Sequence, residues 1–166
     1  MRKSFSLVEL VFVIVIIGAL AGLATTWLFE TRMDSQVATL KSDVATLLTQ
    51  VPAEIVAGNI DVDTAAPEGF STWGEWLMYV GALDKARWKS TENGVVAISY
   101  VNNNNNSNQV LCDGEYLYID LIDGVLHFIP SNINANASNF CKIFRNSYNQ
   151  NSETKINLKS SNAMQY

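Results

Sequence analysis

Residues 10–24 carry no charged or strongly polar side chain, and Trp27, Leu28 and Phe29 continue the apolar character after only Thr25 and Thr26. The twenty residues 10–29 are about the number a helix needs to cross a bilayer. Beyond them the pattern changes from continuous to striped. Met33, Val37, Leu40, Val44, Leu47, Val51 and Ile55 recur at alternating steps of four and three, with Arg32, Asp34, Lys41 and Asp43 off the stripe. This is the signature of an amphipathic helix continuing from the apolar one. Pro52 has no N–H to give a helix interior and predicts an end or kink near Val51. A helix over residues 5–51 would be about 70 Å long, too long for one small domain to bury.

A second helix is predicted within residues 68–82. Thr72 and Glu75 have capping-box spacing, Trp73, Trp76, Leu77 and Val80 share a face, and Gly81 marks the stop. Trp and Leu at such spacing read as core. Past Asn93 the period falls to two. Val96, Ile98 and Tyr100 alternate with their neighbours, as do Leu117, Ile119 and Leu121, and residues 125–129 follow the turn at Asp123 and Gly124. An antiparallel meander of three or four strands is expected, with one face on the stripe of residues 33–51. The fold class is therefore α+β: a long N-terminal α-helix, membrane-spanning in its first half, packed on a small antiparallel sheet.

One carboxylate, Glu9, stands at the mouth of the apolar run. An ionised acid at the edge of hydrocarbon costs a few kcal/mol unless it finds a partner. The surrounding residues resemble the class III signal of type IV pilins and pseudopilins: basic Arg2 and Lys3, small Ser4 then Phe5, Glu9 four positions after the Phe, and Ile-Ile-Gly-Ala-Leu-Ala at residues 16–21. That resemblance implies cleavage by a prepilin peptidase between Ser4 and Phe5, N-methylation of Phe5, and pairing of Glu9 with the terminal amine of a neighbouring subunit. It implies three regions: a leader at 1–4, a transmembrane or filament-core half-helix at 5–29, and a pilin-like periplasmic or extracellular head at 30–166. Two positions depart from the family pattern. Ser4 replaces the usual Gly before the cut, and Thr26 stands where many members carry Pro.

A secretory signal peptide with its small-x-small site at Ala19, Leu20 and Ala21 is the first competing reading. Glu9 interrupts its apolar region, however, and the apolar character runs on past the supposed cut. An ordinary single-span anchor is the second, and it shares the orientation of the pilin reading. Arg2 and Lys3 precede the span and residues of mixed sign follow it, so the amino terminus is expected in the cytoplasm and the head in the periplasm. Gly18 and Gly22 form a Gly-x-x-x-Gly that lets helix backbones approach closely. They join Glu9 as expected subunit-assembly residues.

Cys112 and Cys141 both fall in the exported part, where a disulfide forms and persists. The resemblance implies the same pairing, as a staple of the carboxyl-terminal loop. Two biased segments flank it. Residues 102–108 are six Asn and one Ser, read as an exposed hairpin loop, and residues 131–166 hold nine Asn, read as an irregular tail pinned by Phe140, Ile143 and Phe144. Glycosylation-type matches at Asn105 and Asn136 are expected by chance in so Asn-rich a chain.

Catalytic motifs are missing from the sequence, and a single His127 does not build a His-centred site. No enzyme is expected. Asp61 with Asp63, and Asp113 with Glu115, are acidic pairs short of a calcium ligand set; no cofactor is expected, with calcium the one candidate. Removing Arg2 and Lys3 from 11 basic side chains leaves 9 against 16 acidic, a side-chain charge of −7. Such a balance lacks the basic footprint of a dedicated nucleic-acid site.

The expected function is a structural subunit of a type IV pilus-like filament. Its partners would be other pilin or pseudopilin subunits, the prepilin peptidase, an inner-membrane assembly platform and the membrane itself. The expected location is single-pass in the inner membrane before assembly, and the pilus or pseudopilus after it. A type II secretion pseudopilin and a single-span binding or sensor protein are the alternatives. Mass spectrometry of the mature chain is expected to find N-methylated Phe5 at its start. An intact Met1, or a start near Gly22, rejects the filament class.

Overall fold

The computed structural model describes residues 7–58, 60–62, 65–103, 106–149 and 151–159. The chain divides into two compact units, Met1–Gln36 and Val37–Tyr166. Helix α1 (Leu7–Gly58) contributes to both. In the first unit, every described side chain over residues 7–21 is exposed.

Among the described residues no helix is long and apolar enough to cross a membrane. This corrects three expectations: the membrane-spanning half-helix at 5–29, the transmembrane character of the chain, and its single-pass placement in the inner membrane.

The second unit is built on the striped part of α1. Val37, Leu40, Val44, Leu47, Val51 and Ile55 are all buried and share one core with both sheets and the two later helices. Pro52 does not stop the helix, which runs on to Gly58. Proline inside a helix costs about 3 kcal/mol, but Val51 and Ile55 on either side are buried, and each contributes about 1.5–3 kcal/mol by leaving water. Burial on both flanks outweighs the local penalty.

Helix α2 (Trp73–Val80) begins at Thr72, whose Oγ1 accepts from the Glu75 N–H at 3.1 Å. The Glu75 carboxylate accepts in return from the Ser71 N–H, one residue upstream of the expected box. At the other end the Gly81 N–H donates to the Leu77 carbonyl at 3.0 Å.

In place of one meander there are two three-stranded antiparallel sheets. The first runs β1 (Trp88–Ser90), β2 (Val95–Asn103), β3 (Asn106–Cys112) in spatial order. The second is ordered β4 (Leu117–Asp120), β5 (Val125–Phe128), β6 (Thr154–Asn157). Strand β2 misleads a period-two reading because residues 95–99 are buried without alternation. The sheets meet where Gly94 bridges Tyr118 and the Ile119 N–H donates to the Asn93 carbonyl at 2.8 Å. A side chain at Gly94 would collide with the Leu117 carbonyl, and one at Gly74 with the carbonyls of Thr91 and Gly94. Close backbone approach at this junction therefore requires glycine.

The Asn-rich segment 102–108 continues the ladder to the pair Asn103 and Asn106, its tip lying outside the described residues. The tail is more regular than its composition predicts. Helix α3 (Asn139–Asn146) starts at Ser138, whose Oγ accepts from the Cys141 N–H, and β6 pairs with β5. Phe144 on α3 lies edge-on to Trp88, Tyr116 and Tyr148 with centroids 5.7–6.4 Å apart.

Asp43 ties α1 to β1. Its Oδ2 accepts from the indole N–H of Trp88 at 2.8 Å and stands 3.5 Å from Arg87 Nε. Trp88 is buried, so losing the acceptor strands a polar group away from water. Asp43→Ala is expected to destabilise the fold by about 1–3 kcal/mol. A lower urea midpoint at unchanged slope would show it, and Asp43→Asn, which keeps an acceptor, should recover most of the loss.

Candidate assembly surface

The first turns of α1 form a cylinder without a polar face. Over residues 7–21 the only charged side chain is Glu9. Leu7 is 77 % exposed, Phe12 67 % and Leu20 61 %, and these three point to different azimuths. A helix apolar on all sides belongs to an interior. The sequence builds such a helix readily, because Ile and Val lose χ1 freedom but are offset by Leu and Ala, and neither Pro nor consecutive Gly breaks the run.

Of the residues expected to act in assembly, Glu9 lies in the first turn of α1 and is exposed. Gly18 is helical, and a Cβ built on it meets nothing within 4 Å, so its flank is open to a second backbone. Gly22 lies on the same helix four residues on. Ser4 and Phe5, the expected cleavage and methylation site, lie outside the described residues.

Cys112 and Cys141 are bonded, with their Cα atoms 5.3 Å apart and both side chains fully buried. The bond joins the end of β3 to the first turn of α3 and closes a loop holding β4, β5 and a 3-10 turn (Pro130–Asn132). Ser138 supports it. Its Oγ lies 3.1 Å from both Cys141 Sγ and the Oγ of buried Ser99, which gives Ser99 a partner inside the core. Sequence reasoning missed this cap, although Ser138 followed by Phe140 and Phe144 at helical spacing is the signal that carries it.

Of the acidic pairs, the Asp113 carboxylate serves a turn. Asp113 accepts from the side-chain amide of Asn134 at 2.8 Å, and Asn132 donates to the Glu115 carbonyl at 2.9 Å. Asp61 is exposed, and Asp63 lies outside the described residues. Among the described residues no group of three or more His, Cys, Asp or Glu side chains is placed to hold a metal.

His127, on β5, stacks against Tyr118 with centroids 5.1 Å apart, and its Nδ1 lies 3.4 Å from Glu153. Glu153 is held below the usual carboxylate range, first by the hydrogen bond from Lys155 at 3.1 Å and then by His127. A lowered folded-state value means that this contribution is present above the unfolded carboxylate pKa and is lost as pH falls through the folded one. Burial pushes the phenols of Tyr116 and Tyr148 up, so both stay neutral. The Tyr116 hydroxyl accepts from the Ala97 N–H inside the core.

Replacing both cysteines with serine is expected to lower stability by about 3–4 kcal/mol, from the unfolded-state entropy of a loop of this length. Chemical denaturation with and without reductant measures it; an unchanged midpoint would remove the bond from the forces that hold the tail. No protein-family model, curated protein or solved structure matches the chain.

Proposed function

We propose that this chain is a structural subunit of a type IV pilus-like filament, assembled through its N-terminal helix and without enzymatic activity. The observation that supports this most is the exposed apolar start of α1, interrupted by one acid. Eleven large apolar side chains between Leu7 and Leu20 are 43–77 % exposed. Covering them with copies of the same helix is worth on the order of 10 kcal/mol per subunit. That exceeds the cost of taking one carboxylate out of water only if the carboxylate meets a cation there.

In this reading the cation is the terminal amine of a neighbour, made when a prepilin peptidase cuts between Ser4 and Phe5. Each Glu9 then sets the stagger of one subunit on the next. Gly18 and Gly22 allow the helices to approach. Such a subunit needs no resident cofactor or metal. A type II secretion pseudopilin is the second reading, favoured by Thr26 in place of the helix-loosening Pro.

Glu9→Ala is expected to leave cleavage intact and to reduce incorporation into sheared filaments at least tenfold, scored by immunoblot of filament and cell fractions. Normal filaments from this variant would refute the role of Glu9.

A further inference from the structure

The Val37–Tyr166 unit carries two open grooves of similar size and unlike charge. The first, about 660 Å³, has buried Trp88, Ile98 and Leu83 in its lining and an exposed aromatic rim. Tyr79 there is 72 % exposed and leans on Phe70 with ring centroids 5.3 Å apart. Lys85 and Lys89 line the same groove, are exposed, and among the described residues have no carboxylate in ion-pair range. Its single acid, Glu75, is held by the Ser71 N–H at the start of α2.

The second groove, about 680 Å³, lies where the two sheets meet. Val96, Leu117 and Ile119 in its lining are buried, and Ile122 at its rim is 85 % exposed. Its charged lining is wholly acidic: Glu92, Asp113, Glu115 and Asp120. Asp113 and Asp120 are engaged in turns. Glu92 and Glu115 are exposed and, among the described residues, have no lysine or arginine in ion-pair range.

Each groove thus offers what the other lacks. One presents cations beside an exposed ring, the other carboxylates beside an exposed aliphatic side chain. We infer that the two grooves are the halves of a head-to-tail contact between copies of this chain, with the Lys85 and Lys89 rim of one copy seated against the Glu92 and Glu115 rim of the next.

Two different patches on one molecule make a heterologous contact, which propagates as an open chain unless its rotation closes a ring. Rim charges of this kind set register and encounter rate more than affinity, and salt screens them within about 10 Å at 0.1 M. The inference goes beyond the reading of α1 and stands on the globular unit alone.

The test uses the full chain. Equal parts of unlabelled and nitrogen-15-labelled protein are mixed and treated with a carbodiimide, which joins a lysine amine directly to a carboxylate in contact with it. Peptides that couple Lys85 or Lys89 to Glu92 or Glu115 are expected, about half of them of mixed label. Raising NaCl to 0.5 M should cut their yield severalfold.

The variants K85E/K89E and E92K/E115K should each lose self-coupling at least tenfold. Mixed together they should recover it, now only between unlike chains. Exclusively same-label products, or none at these residues, would overturn the inference, as would failure of the two folded variants to complement. Coupling of these rims only to some other protein would overturn it as well. Should a variant fail to fold, the label pattern of the unmodified chain still decides. If Glu9→Ala stops filament formation but retains the mixed-label products, the two contacts are independent.

Discussion

Eleven large apolar side chains stand exposed along about four turns at the start of α1. A chain that folded only to satisfy itself would have buried part of that surface. Residues 10–24 of the helix are apolar on every side, whereas Val37 to Ile55 present one apolar stripe, and that stripe enters a core. The physical consequence is a division of labour. Folding covers the second segment and leaves the first exposed.

The folded part is held by a few residues that connect distant pieces of chain. Phe144 brings α3 edge-on to rings from β1 and from the strand-like approach to β4, while Asp43 and Lys41 fasten α1 to β1 and to the end of α3. Lys41 Nζ donates to the Ser147 carbonyl at 3.0 Å and lies over the Tyr148 ring. The disulfide closes the same circuit by joining the end of β3 to α3. These contacts join segments from 28 to 106 residues apart in sequence, so loosening one exposes the others. Two small sheets of short strands have little stability of their own, and this shared core supplies it.

Local chemistry made some elements legible. Thr72, Glu75 and Gly81 mark α2 because a cap is satisfied by side chains three residues away and needs no tertiary partner. The stripe from Val37 to Ile55 is legible for the same reason: helical period alone puts those residues on one face. The end of α1 was misread at Pro52, where distant burial outweighs a local penalty. The second sheet was missed because β6 lies in an Asn-rich tail and pairs with β5 across 26 or more residues of chain. The grooves left no periodic trace, since their linings come from loops and strands far apart in sequence.

The sequence by itself determined that the segments of α1 and α2 are helical, where α2 is capped, that residues 10–24 are continuously apolar behind a single acid, and that the chain holds a single possible disulfide pair. These follow from nearest neighbours, from period and from counting. Only the tertiary structure decided that the strands divide into two sheets, that the tail folds into a capped helix and an edge strand, and that Lys85 and Lys89 line one groove while Glu92 and Glu115 line another. The reason is that burial and charge pairing are set by residues brought together through space, and no window of sequence contains both partners.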